Sequence, residues 1–297
     1  MTPETEPRTA LRGIALVLLA MLLFAVMDGV NKHLAKTYSF VQILWVRYLL
    51  LVVVAALATR GIGIRRALAS RQRGIQIARS LVLVAEQATF VIAFIHLPLA
   101  DVHALAAVTP LIVTLLSAPI LRERVSLYRM LAVAAGFAGV LVILRPGTGA
   151  MSAEAAIPLL AALLWAVYQM LTRMASRTDR PEISLLYAGL VGAVLLSLAG
   201  PFYWLSPAPG DWGLLALVAA LSATAHFSLI KALRYAEASA LQPFAYSLFL
   251  WAVVVGFIGF GDFPDAWTLA GAAVILASNL YVVRRTRAEG ESALSSG

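Results

Sequence analysis

Residues 11–34 read LRGIALVLLAMLLFAVMDGVNKHL, and this stretch decides what kind of fold the chain can adopt. A helix needs about 20 mostly apolar residues to cross the hydrocarbon layer of a bilayer. From Leu11 to Met27 the only charged side chain is Arg12. The run is too long for the apolar core of a secretory signal, and no small-x-small cleavage pattern follows it before Asn31-Lys32. It therefore reads as a retained membrane span. Polar residues return only at its end, as Asp28, Asn31 and Lys32.

Nine further runs of the same kind follow: Val41–Ala58, Ile75–Ile95, Ala100–Leu121, Leu127–Leu144, Ala153–Met174, Ile183–Trp204, Trp212–Leu233, Ser239–Phe260 and Ala266–Val283. The connections are short and carry breakers, among them Pro98, Pro146-Gly147, Pro181, Pro207 to Gly210 and Pro264. The whole-chain composition agrees. Apolar residues make up 61% of the 297 and charged residues 13%, against about 45–50% and about 25% in globular domains. A soluble enzyme, a disordered regulator and a disulfide-stapled domain are excluded, and the absence of cysteine removes thiol chemistry and Cys-based zinc sites. The fold class is an all-α polytopic membrane protein with ten transmembrane helices, embedded in a lipid bilayer.

The net charge of +8 would suit nucleic acid if its basic residues were clustered on one face. Instead they punctuate the gaps between runs. With the N-terminus inside, nearly all of the 23 Lys and Arg fall on the inner side, leaving Lys32, Lys36 and Arg145 outside and Arg47 within the second run. Both termini are therefore expected in the cytoplasm, and no nucleic-acid partner is expected. The excess of Arg over Lys hints at a GC-rich bacterial genome, and the location expected is a bacterial inner membrane.

The halves echo each other. Phe24-Ala25-Val26-Met27-Asp28 aligns with Trp165-Ala166-Val167-Tyr168-Gln169, and Leu97, Ala100-Asp101, Ala104-Leu105 with Leu233, Ala236-Glu237, Ala240-Leu241. Five spans per half is odd, so the second copy enters from the other side. Two inverted five-helix repeats follow, residues 1–147 and 148–297, an arrangement that recurs in secondary transporters. Several strings carry a resemblance: Phe24-Ala25 through Lys32, Trp45-Val46-Arg47-Tyr48, Leu97 through Asp101, and Leu121-Arg122-Glu123-Arg124 followed by Gly136 to Gly139. With ten spans in two repeats, they resemble the drug/metabolite transporter superfamily, EamA type, over residues 11 to 285. The resemblance implies a carrier whose two bundles enclose a central cavity. Gly261-Asp262 stands where that family usually has Gly-Glu, and Ala188 stands opposite Arg47.

Charged side chains at membrane depth are costly and tend to face a cavity or a partner. Asp28, Asn31 and Lys32 share one face of the first span. Trp165, Tyr168, Gln169 and Thr172 form the equivalent strip in the sixth. Two facing strips would suit a polar or aromatic organic molecule; the alternative is that Asp28 and Lys32 pair with each other. In the third span Arg79 lies near the inner end, where it can snorkel. Glu86 and Gln87 lie deeper, about 10 Å along the axis from Arg79. Glu86 reads either as a proton carrier or as a structural partner of Arg47. His33 and His96 read as interfacial, and His103 lies one turn into the fourth span. His226, with Ser222 one turn before it, reads as a cavity residue or as a helix-to-helix hydrogen bond. In the ninth span Pro243 exposes a carbonyl between Gln242 and Tyr246, as Pro110 does in the fourth.

No nucleotide-binding GxxxxGK[ST], no metal-binding spacing and no carboxylate cluster on the inner loops is present. An integral-membrane enzyme is disfavoured, and neither cofactor nor metal is expected. The function expected is transport of a small-molecule metabolite by alternating access, driven by its own gradient or by a coupled proton. An exporter of amino acids or related compounds and an importer of a cofactor such as riboflavin or S-adenosylmethionine both remain open, and the sequence fixes no oligomeric state.

Overall fold

The computed structural model describes residues 7–61, 63–109, 111–113, 115–116, 127–145, 153–175, 178–235 and 244–295. The chain runs through α1 (Pro7–Leu34), α2 (Phe40–Ala58), the short α3 (Ile64–Leu68), α4 (Arg73–His96), α5 (Leu99–Ala106), α6 (Leu127–Leu144), α7 (Ala156–Ala175), α8 (Pro181–Ser197), α9 (Pro209–Tyr235), α10 (Ser247–Phe260) and α11 (Ala266–Ser295). Apart from α3, each helix coincides with one of the ten apolar runs. Four stretches, Leu11–Leu34, Phe40–Ala58, Arg73–His96 and Pro209–Ala232, are long and apolar enough to cross a bilayer by themselves; the other six are shorter apolar helices.

Local chemistry sets the ends. Ser39 caps α2 by accepting from the Val41 N–H at 3.2 Å, and Pro181 opens α8, where its missing N–H costs nothing. The run expected to reach Trp204 stops as a helix at Ser197 and turns through a 3₁₀ segment, Gly200–Tyr203. Pro201 cannot continue the hydrogen-bond ladder, and Gly200 lies against the Trp45 indole, where a β-carbon would collide. α11 overshoots its expected end at Val283 and continues to Ser295 through a polar, helix-favouring tail.

Packing divides the helices into two groups. α1 packs on α9 and α10, and α9 also on α2; α4 packs on α7 and α8, and α5 also on α7. These two four-helix bundles exchange under the relation that carries α1 to α7, α2 to α8, α4 to α9 and α5 to α10. They meet along α2 with α8 and α5 with α10, while α6 and α11 pair alongside. The contact pattern is that of two inverted five-helix repeats. The outer surface is a band of large apolar side chains, including Val53, Phe137, Val194, Leu250 and Ile258, as lipid contact demands.

Without a hydrophobic drive between helices in lipid, small residues let backbones approach. A β-carbon on Gly139 of α6 would lie 2.8 Å from the Gly271 carbonyl oxygen of α11, and one on Gly271 would lie 2.5 Å from that of Gly139. Gly271→Val is therefore expected to destabilise the protein by about 1–3 kcal/mol, read as a lowered melting temperature in detergent. Gly259→Ala, where nothing lies within 4 Å, should leave the melting temperature unchanged.

Candidate substrate site

A narrow crevice lies between α2, α4, α7, α8 and α9, with about 10 Å³ of free volume in this conformation. Polar lining comes from Arg79 and Gln87 on α4, Tyr168 on α7, Ser184 on α8, and Ser222 and His226 on α9. Leu83, Leu185 and Ala188 supply apolar wall.

Arg79 does not snorkel. It is 1% exposed, because acceptors from α7 and α8 reach it inside the protein. Its Nη1 donates to the Tyr168 hydroxyl and to Thr172 Oγ1, both at 3.3 Å, and its Nη2 to the Ser184 carbonyl at 2.5 Å. Its buried Nε has no partner. Gln87 Oε1 accepts from the Tyr48 hydroxyl at 2.7 Å and from Arg47 Nη2. Among the described residues the Gln87 amide N–H groups have no acceptor. His226 Nδ1 lies 2.9 Å from the Ser222 carbonyl oxygen within α9. A carbonyl only accepts, so Nδ1 carries the hydrogen, and in the neutral ring Nε2 is an acceptor; it is buried and unpartnered. The bond is intrahelical, not the helix-to-helix bond considered from sequence.

Aromatic rings adjoin this set. Trp165 stacks on Tyr168 with centroids 5.0 Å apart, and Phe24 meets Trp165 edge-on at 6.4 Å. Phe24 and Trp165 occupy aligned positions of the two repeats, while Asp28 and Lys32 of the first strip take partners outside the second. Phe24 also lies edge-on to His226 at 4.9 Å.

The ion pairs differ from the sequence alternatives. Asp28 does not pair with Lys32. It faces His103 Nε2 of α5 at 3.2 Å, while Lys32 pairs with Asp262 at 2.9 Å and donates to the Leu97 carbonyl at 3.2 Å. Gly261, left-handed at φ 72°, ends α10 and turns the chain so that Asp262 reaches Lys32. Nor does Arg47 pair with Glu86: its Nη1 contacts Met27 Sδ at 3.7 Å and its Nη2 bonds Gln87. Glu86 is buried and, among the described residues, has no hydrogen-bond or ion-pair partner.

Of the residues singled out from sequence, Gln87, Tyr168 and His226 line the crevice, and Trp165 backs it. Asn31 is buried with its Oδ1 unpaired. Gln169 and Tyr246 line no part of the crevice, although the Tyr246 hydroxyl is buried without a partner. Gln242, Pro243, Pro110 and Glu123 lie outside the described residues. Sequence reading passed over Arg79 as a site residue; its seven-residue spacing from Glu86 on one helix face was the available signal. It also assigned His103 no partner, although any ionisable residue inside an apolar run is a candidate for one.

Hydrogen bonds close one end of each bundle, on opposite faces. On the face away from the termini, the Tyr38 hydroxyl donates to Asp211 at 2.6 Å and accepts from the Ala208 N–H at 3.1 Å. On the terminal face, Ser70 and Gln76 donate to Asp179 at 2.5 and 2.8 Å. Tyr38 and Asp179 occupy equivalent inter-helix turns of the two repeats.

A polar, aromatic-backed crevice between two bundles exchanged by inverted repeats is the construction of a membrane carrier. The chain belongs to the EamA-like transporter family, whose sequence profile matches residues 11–145 and 152–284. It is thus an integral membrane transporter of the drug/metabolite superfamily and not an enzyme. It is 28% identical over 278 residues to a riboflavin transporter of Vibrio cholerae, covering 92% of this chain and 93% of that one. It is 23% identical over 276 residues to an S-adenosylmethionine uptake transporter of Rickettsia prowazekii, covering 93% and 94%. A solved crystal structure at 17% identity has the same fold, with a TM-score of 0.64 over 94% of this chain and 98% of that one.

The Asp211 carboxylate, as acceptor, holds the Tyr38 phenol protonated above its ordinary range. A group whose pKa is raised on folding stabilises the fold below its unfolded value and loses that contribution as pH rises through the folded one. Tyr38→Phe is therefore expected to lower the melting temperature at pH 8. The difference from the parent should shrink as pH climbs past about 10, as a thermal-unfolding series would record.

Proposed function

We propose that the protein carries a flat heterocyclic metabolite of cofactor type across a bacterial inner membrane by alternating access, the ring bound in the crevice. The observation that supports this reading is the unpaired set of Arg79 Nε–H and Gln87 amide donors with the His226 Nε2 acceptor, beside Trp165 and Tyr168. Donors and an acceptor on one wall match the edge of a fused heterocycle that alternates carbonyl or ring-nitrogen acceptors with an N–H. The aromatic pair offers the ring a stacking face. Riboflavin and the adenine of S-adenosylmethionine both have such an edge.

An amino-acid substrate is less well served. Its carboxylate would seek the two-pronged guanidinium fork, and both Nη atoms of Arg79 and of Arg47 are already engaged. The repeats would divide at 147/148, each supplying half of the bundle interface. The Lys and Arg asymmetry supports a reading with both termini in the cytoplasm.

Substrate counterflow in proteoliposomes tests the proposal. Labelled riboflavin or S-adenosylmethionine should exchange saturably and tryptophan should not. His226→Leu should raise KM about tenfold, the loss of one buried hydrogen bond of about 1.4 kcal/mol. Exchange of tryptophan alone, or of no compound in a broad metabolite panel, would overturn it.

A further inference from the structure

Two crossovers join the bundles, one on each face. Residues 198–208 run from α8 to α9 and contain no charged side chain. Residues 59–73 run from α2 through α3 to α4 on the terminal face. They contain five arginines, Arg60, Arg65, Arg66, Arg71 and Arg73, and no acidic residue. Arg60, Arg65, Arg71 and Arg73 are exposed. None of these four guanidinium groups has an ion-pair partner among the described residues. Asp179, the carboxylate that the crossover touches, accepts from Ser70 and Gln76 and so answers none of the arginines.

The backbone that carries them is fixed. Ala67 of α3 is buried, the Leu68 carbonyl accepts from the Tyr187 hydroxyl at 2.8 Å, and Ser70 is bonded to Asp179. Two of the arginines also close lipid-facing stripes. On α2, Val53 and Leu57 are exposed. Arg60 follows Leu57 by three residues, its N–H bonded to the Leu57 carbonyl at 3.3 Å. On α4, Leu81 and Ile77 are exposed, and Arg73 precedes Ile77 by four residues. Residues three or four apart share a helix face. Both arginines therefore stand where an apolar stripe leaves the hydrocarbon layer, at the level of phosphate headgroups. Leu68, between them in the chain, is exposed as well.

We propose that the α2–α4 crossover binds the headgroups of anionic phospholipids in the leaflet that meets the terminal face. The occupant is a lipid rather than a free anion, because Arg60 and Arg73 continue stripes already in contact with acyl chains. A guanidinium grips phosphate oxygens with two parallel hydrogen bonds, and each basic side chain near an anionic leaflet strengthens attachment about fivefold. Arg60 follows α2 and Arg73 begins α4, so headgroups held by this pair touch both bundles. The uncharged α8–α9 crossover, with Phe202, Tyr203 and Trp204 exposed, offers no such pairing, which confines the site to one face. The site needs a bilayer and is independent of what the crevice carries.

The test needs no transport substrate. The full chain in detergent is titrated with phosphatidylglycerol, with phosphatidylcholine and with glycerol phosphate, bound molecules being counted by native mass spectrometry and stability read as melting temperature. Phosphatidylglycerol should bind and raise the melting temperature; phosphatidylcholine and glycerol phosphate should do neither. Arg60→Gln combined with Arg73→Gln should weaken phosphatidylglycerol binding about thirtyfold. Without lipid that variant should melt with the parent, since neither guanidinium has an ion-pair partner among the described residues. Arg12→Gln combined with Arg180→Gln removes the same charge from the same face, away from the crossover, and should leave binding unchanged. Equal binding of phosphatidylcholine would overturn the proposal, as would equal stabilisation by glycerol phosphate, which would mark a free-anion site. So would an equal loss in both double variants, the sign of diffuse attraction to net charge, or no loss in Arg60→Gln with Arg73→Gln.

Discussion

A charge at the depth of a hydrocarbon layer has to be answered inside the protein, and in this chain that requirement sets how the helices face each other. Dispersion between apolar helices in lipid has little directional preference. The buried polar side chains supply the direction. Arg47, 2% exposed, ties α2 to α4 through Gln87 and reaches Met27 on α1. Arg79 ties α4 to α7 and α8. Removing an acceptor from such a set leaves a buried charged donor unsatisfied, which typically costs about 1–3 kcal/mol or more. Each helix is thereby held in one rotational setting, with its crevice-facing residues fixed.

The same network explains why the site is small and polar but incompletely satisfied. Hydrogen bonds among Tyr48, Gln87 and Arg47 consume the Gln87 carbonyl and spare its amide. Those around Arg79 consume both Nη atoms and spare Nε. What is left over is a pattern of donors and one acceptor held in place by their own neighbours. Such preorganisation lowers the ordering cost of binding.

Hydropathy made the helices legible, since an apolar run of adequate length has no other stable fate in a bilayer. Ser39 and Pro181 marked their helix starts by ordinary capping chemistry. Partner choice was not legible. The i,i+4 spacing of Asp28 and Lys32 suggested a pair, yet each turns to a group distant in the chain, His103 and Asp262. Helix spacing shows only which residues share a face; the neighbour opposite is fixed by the tertiary packing of helices from both repeats. Arg79 illustrates the same limit, because its acceptors include a backbone carbonyl at Ser184 that no side-chain pattern announces. The early end of α8 was written in Gly200-Pro201, where an apolar count that continued to Trp204 hid it.

The clasps at the two faces are built from unlike chemistry: a phenol against Asp211 on one side, a serine and an amide against Asp179 on the other. A perfectly duplicated protein would have two end conformations of equal energy and would work equally well in either sense. Each clasp lies within one bundle, the first joining the α1–α2 turn to the start of α9 and the second the start of α4 to the turn before α8. The two copies have thus kept the place of the tie while changing its chemistry, so the two faces differ in turn residues remote from the crevice.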